Sequence, residues 1–217
     1  MSATITVRGT ARDSRLPDRA GVTLSVTKQG RDWGSVHVTV TQALAGLNAA
    51  IAQLKADQPQ AVVESAAAQF NQRSWMQDNQ PIYSETGTVY LVFVDFPVMS
   101  KWLFAQLSDT VQLGYIDWQL SPAVRDQLRR DLVAQAVGEA RARAEAFAAA
   151  EGLHIVSVIG LADPGLIGKT GSGNAAFADA SPMMALGRGV RGGGGEVELE
   201  PRQIDTESQV EAQFLAE

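Results

Sequence analysis

Residues 121–152 read SPAVRDQLRRDLVAQAVGEARARAEAFAAAEG, and this stretch decides the fold. Ser121 is placed to cap the first free amides of a helix, and Pro122 suits the first turn, where its missing N–H costs nothing. Val124, Leu128, Leu132, Ala136, Ala140, Ala144 and Phe147/Ala148 then recur every three or four residues, a helical period. Gly152 is suited to the left-handed conformation that stops the helix. Asp126 with Arg130 and Glu139 with Arg143 stand acid-first at i,i+4 on the opposite side. The seam turns from Leu and Val to Ala at its centre, so another element must approach the helix backbone closely there. A long helix with such a seam is expected to lie flat across a sheet.

Upstream, TITVRG alternates Ile5 and Val7 with polar residues and reads as a short strand, followed by a turn signal at Pro17-Asp18. AGVTLSVTK puts Val22, Leu24 and Val26 on one side and Thr23, Ser25 and Thr27 on the other, a strand with one wet face. Val36, Val40, Leu44, Leu47, Ile51 and Leu54 keep helical spacing for five turns. That period outweighs the strand propensity of HVTVT at its start. Residues 61–70 read as a strand weakened by alanines, and 71–81 as a polar loop. TGTVYLVFVDF, residues 86–96, is apolar from Val89 onward and is expected at the centre of a sheet. Asp95, just before Pro97, is placed to cap a short helix over 98–107. QLGYIDWQL and HIVSVIGL supply strands before and after the long helix.

Between Pro164 and Gly195 lie ten of the 20 glycines, with few large apolar residues, so a flexible insertion is expected over 164–195. Ile204, Thr206, Ser208, Val210, Ala212, Phe214 and Ala216 then face one way in an extended chain. The reading is a single α+β domain over 1–217, an antiparallel-rich sheet with packed helices. Its half-units, ββαββ over about 3–96 and αβαβ over about 97–162, are closed by a strand within 200–216.

Composition narrows the chemistry. The 217 residues carry a net charge of -6, against nucleic acid as a partner, since phosphate binding needs a basic surface. No apolar run reaches membrane-span length. The N-terminus reads directly as a strand, with no basic-then-apolar leader, so the cytoplasm is expected, or the periplasm or exterior if a leader has been removed. The absence of cysteine excludes disulfides, thiolate metal sites and cysteine nucleophiles.

Motifs that suggest chemistry fail on their spacing. Gly168-Lys169-Thr170 ends like a phosphate-binding loop, but Asp163 stands where its first glycine belongs. Gly171-Ser172-Gly173 lacks the leading glycine of a nucleophile elbow, having Thr170 there. His37, with Asp32 nearby, and His154 have no second ligand at metal spacing. Glu196, Glu198 and Glu200 alternate as a solvated strand edge would. Trp33, Trp75, Trp102 and Trp118 lie on different elements and read as packing residues. No catalytic, cofactor or metal residues are assigned, and no enzyme is expected.

Taken together, ITVRGTA, LPDRAGVTLSVT, the helix ending in Leu54-Lys55, GTVYLVFVDF and AQAVGEARARAEAFAAAEG resemble the SIMPL-domain family. The match to its helix pattern falls on Ala136-Val137, Ala140-Arg141, Ala144, Ala148 and Gly152, and PRQIDTESQVEAQF resembles its last strand. The resemblance spans about residues 4–162 and 200–216. Similar proteins include periplasmic immunogenic proteins that form ring- or channel-like oligomers, and proteins associated with oxidative-stress defence. It therefore implies a bacterial homo-oligomer or a binder of a protein partner, and supplies no catalytic residues. The alternative is an enzyme or small-molecule binder with its site between the half-units, under the 164–195 loop.

Overall fold

The computed structural model describes residues 2–167 and 200–217. The element order is β1 (Ala3–Arg15), β2 (Arg19–Gly30), α1 (Trp33–Asp57), β3 (Val62–Gln77), β4 (Gln80–Phe93), α2 (Phe96–Gln106), β5 (Val111–Gln119), α3 (Pro122–Ala150), β6 (Ile155–Ala162) and β7 (Ile204–Ala216). All strand pairings are antiparallel, so the fold is α+β, and the order of elements is the one expected. These elements divide into two compact units. The half-units drawn along the sequence are contiguous, whereas these units interleave, because β1 pairs with β7 and β5 with β2.

One unit holds a three-stranded sheet in the order β1-β7-β6, with α3 across it. The seam of α3 is Leu128, Leu132, Ala136, Ala140, Ala144 and Ala148, packed on Val7, Val210, Ala212 and Phe214. The alanines let the helix descend onto Gly9 of β1. A Cβ at Gly9 would collide with the Ala136 carbonyl oxygen and lie 2.7 Å from the Ala140 nitrogen. Ser121 caps the helix through Val124 N–H, and Gly152 ends it with φ of +69°. The two ends of the expected seam are corrected. Val124 is exposed in the first turn, and of Phe147/Ala148 it is Ala148 that takes the inward position while Phe147 is exposed. Arg130 donates to Gln127 at 2.6 Å, while Glu139 and Arg143 form the expected pair at 3.8 Å.

The other unit is a four-stranded sheet, β3-β4-β2-β5, with α1 and α2 on its apolar side. All six periodic residues of α1 are buried, so the helical period prevailed over the β-branched HVTVT. Asp32 caps α1 and Asp95 caps α2, by accepting from Ser35 and Val98 N–H.

Several boundaries differ from the sequence reading. Residues 71–77 are strand and not loop: β3 and β4 form a long hairpin whose turn, Asp78-Asn79, has φ of +50° and +60°. That two-residue turn has the left-handed pair that matches strand twist, and it carries polar residues into the ladder. β1 runs on to Arg15 because Arg12 and Ser14 meet Glu207 and Asp205 across β7. β4 is an interior strand, as expected, but alternates buried and half-buried residues up to Tyr90 and is buried on both sides only over Leu91–Phe93.

Candidate functional site

Two features of the described residues go beyond ordinary packing, one in each unit. In the three-stranded sheet the two edges are treated differently. The open side of β1 is engaged by α3: Glu139 accepts from Thr10 N–H at 3.1 Å, and Arg143 donates to the Arg8 carbonyl at 2.8 Å. Such side-chain cover blunts a strand edge. The other edge, β6, lies away from the helix seam and exposes Val156, Val158, Ile159 and Leu161, each about half accessible. Only Ser157 is polar within Ile155–Ala162. Bulges between Ile155 and Ser157 and between Val158 and Gly160 break its register with β7, so its side chains project irregularly on both faces. Leu166, just beyond β6, is exposed as well.

Glu211, on β7, gathers the chain after β6. It accepts from Arg8 at 2.9 Å and from the backbone N–H groups of Gly165 and Ile167. The Arg8 hydrogen bond, then those amides, hold its carboxyl below the usual carboxylate range. Glu207 is lowered in the same way by Gln209 and Arg12.

The four-stranded unit buries a carboxylate. Glu85 on β4 has no accessible side-chain surface and lies opposite Gln72 of β3, which donates to it at 3.1 Å. His37 of α1 places Nδ1 3.0 Å from one carboxylate oxygen and 3.2 Å from the other, while its own ring stays 48% accessible. Trp33 stacks on that ring at 5.5 Å and touches Tyr83 at 6.1 Å. Glu85 was not among the candidates read from the sequence. The signal was there in the two-residue period of β4, where Glu85 precedes Gly87, Val89, Leu91 and Phe93 on the inward face. The network joins α1 to the β3–β4 hairpin, and among the described residues no buried side-chain nitrogen or oxygen lacks a hydrogen-bond partner.

The remaining candidates separate. His154 binds Glu217 through backbone groups and lies on the other unit from His37. Asp32 serves as a helix cap and makes no contact with the His37 ring that any hydrogen bond records. Trp102 packs on Phe93 and Trp118 on Phe96, whereas Trp75 is exposed. Glu200 is exposed and precedes β7. Gly168-Lys169-Thr170, Gly171-Ser172-Gly173, Glu196, Glu198 and most of the 164–195 insertion lie outside the described residues. Among the described residues no three His, Asp or Glu are grouped to hold a metal ion.

The order β1 to β7, with a small-residue helix over Gly9 and the insertion before the last strand, runs along nearly the whole chain. A family model described as SIMPL, protein of unknown function (DUF541), matches residues 5–214. The chain belongs to the SIMPL family. No curated protein matches it significantly. In SIMPL terms the resemblance seen on the first strand, the Pro17-Asp18 turn and the Ala136–Gly152 helix extends over both compact units. The described helices include none long and apolar enough to cross a membrane.

Proposed function

We propose that this SIMPL protein works by association, with itself or with a protein partner, and not by catalysis. The observation that carries the reading is β6. An edge strand that exposes Val156, Val158, Ile159 and Leu161 at about half their area is a cost in water unless something covers it. The contrast with β1, whose open backbone groups are engaged by Glu139 and Arg143, supports β6 as the contact side of its unit. Its two bulges argue that contact runs through side chains and not by adding a strand to the ladder.

The test is absolute mass in solution, by light scattering over a range of concentrations. A stable mass that is a multiple of 23.1 kDa, reduced by Val158→Lys with Leu161→Asp, is the expected result for self-association. Both side chains are half exposed, so the paired variant should still fold. A monomer at every concentration removes self-association and leaves only a different protein partner.

A further inference from the structure

The sheet face of the second unit that points away from α1 is hollow. At the hairpin end, an open groove of about 450 Å³ runs across β2, β3 and β4. Thr27, Ser84 and Thr86 supply hydroxyls, Gln29 and Asn71 supply amides, and Arg73 and Trp75 complete the lining. A second hollow of about 220 Å³ follows on the same face, with Gln69, Thr88, Tyr90 and Tyr115. Register places them together: Arg73 faces Ser84, Asn71 faces Thr86, Gln69 faces Thr88, and Thr23 faces both Tyr90 and Tyr115. The bulge in β3 between Ala66 and Gln69 falls at the second hollow, which both residues line.

The lining selects its ligand by elimination. Among the described groove residues Arg73 alone carries a formal charge, in a chain whose net charge is -6, so a cation is disfavoured and a polyanion lacks partners. One wall of the groove, Asn71, Arg73 and Trp75, stands on the edge strand β3, but the lining is side chains on the sheet face, so a ligand seated there meets side chains and not the main-chain ladder that an extended peptide would add to. Thr27 and Thr86 pair their hydroxyls at 2.9 Å, but an apolar ligand would cover the Ser84 hydroxyl and the Gln29 and Asn71 amides without offering them a partner. What fits is a ligand whose groups both donate and accept hydrogen bonds and whose ring has an apolar face. Hydroxyls and amides meet the first demand, and Trp75, 41% exposed, meets the second.

We propose that this face of the four-stranded sheet binds an oligosaccharide. A pyranose ring stacks on Trp75, its hydroxyls bond Asn71, Gln29, Thr27 and Thr86, and the chain continues toward Tyr115. Arg73 takes a ring hydroxyl or, in a uronic acid, the carboxylate. The site is distinct from β6 and stands whether or not the protein self-associates.

Isothermal titration with chitohexaose, cellohexaose and hexagalacturonate, each at millimolar concentration, tests it. Saturable binding of at least one, weakened about tenfold by Trp75→Ala and less by Trp75→Phe, is the expected result. Asn71→Ala with Thr86→Ala should weaken it too, which keeps the test open if Trp75→Ala fails to fold. Binding of hexagalacturonate alone, with loss in Arg73→Ala and in Trp75→Ala, identifies the acidic sugar as the form recognised. No heat with any of the three overturns the proposal. Binding indifferent to Trp75→Ala does so too, as does hexagalacturonate binding that raised salt abolishes while Trp75→Ala leaves it intact.

Discussion

Gly9 of β1 lies against Ala140 of α3 with room for a hydrogen atom and nothing larger. A Cβ there would sit 2.8 Å from the Ala140 Cβ and 2.7 Å from its nitrogen, and would strike the Ala136 carbonyl oxygen. Backbone, unlike the end of a flexible side chain, cannot step aside. Gly9→Ala should therefore destabilise by about 1–3 kcal/mol, since helix and sheet must separate along the whole seam. Gly138, two residues before Ala140 and so on the opposite side of the helix, has open space around it, and Gly138→Ala should stabilise by up to about 1 kcal/mol through helix propensity. Urea unfolding of the two variants checks both signs.

Leu132 and Phe147 both belong to α3, yet their substitution should have different costs. Leu132 has no accessible surface, so Leu132→Ala should cost about 2–5 kcal/mol through lost burial and the cavity left behind. Phe147 is 55% exposed, and Phe147→Ala should stay within about 1 kcal/mol. Thermal melts followed by circular dichroism would separate the two, and equal losses would contradict the placement of the seam.

Glu85 and His37 should show energetic coupling. His37→Ala leaves a buried carboxylate with Gln72 as its remaining side-chain donor, at a cost of about 1–3 kcal/mol. Glu85→Gln keeps the shape and removes the charge. In a double-mutant cycle the two losses should fall short of additivity by at least about 0.5 kcal/mol, because each weakens the same carboxylate–imidazole interaction. Full additivity would mean that the pair makes no net contribution.

Acid should loosen the β1–β7 ladder. Glu211 and Glu207 are held below the usual carboxylate range in the folded protein, Glu211 chiefly by Arg8 and Glu207 chiefly by Gln209, then Arg12. A depressed carboxylate stabilises the fold above its unfolded value, and that contribution is lost as pH falls through the lower, folded value. The melting temperature should therefore drop as pH falls below the ordinary carboxylate range. Glu211→Gln should flatten that slope, as should Arg8→Gln. An unchanged slope in both would show that these exposed pairs do not matter to stability.

Much of the fold was legible because local periods record burial directly. Six apolar residues of α1 at helical spacing, and the every-other-residue pattern from Ile204 to Ala216, are one-dimensional traces of one buried face. Asp32, Asp95 and Ser121 were legible for a different reason: a cap needs only a short polar side chain and the amides that follow it. The hairpin at Asp78-Asn79 was not, because Asn71 to Pro81 is polar and its strand character comes from pairing with β4. For Glu85 the period of β4 marks the inward face, but its two partners are not legible, since they lie 48 residues before it and 13 residues before it in the chain.

The sequence by itself determined the α+β class, the order of the ten elements, the helix caps and the small-residue seam that some close neighbour had to meet. Each follows from chain-local physics: propensity, capping and the periodicity of one buried face. Only the tertiary structure decided that the neighbour is Gly9, that β6 is an edge left apolar on its open side, and that Trp75 and Asn71 share a groove. Those facts depend on which strands lie side by side. Strand order is set by non-local pairing and by the helix that covers each face, and neither is written in the spacing of residues along the chain.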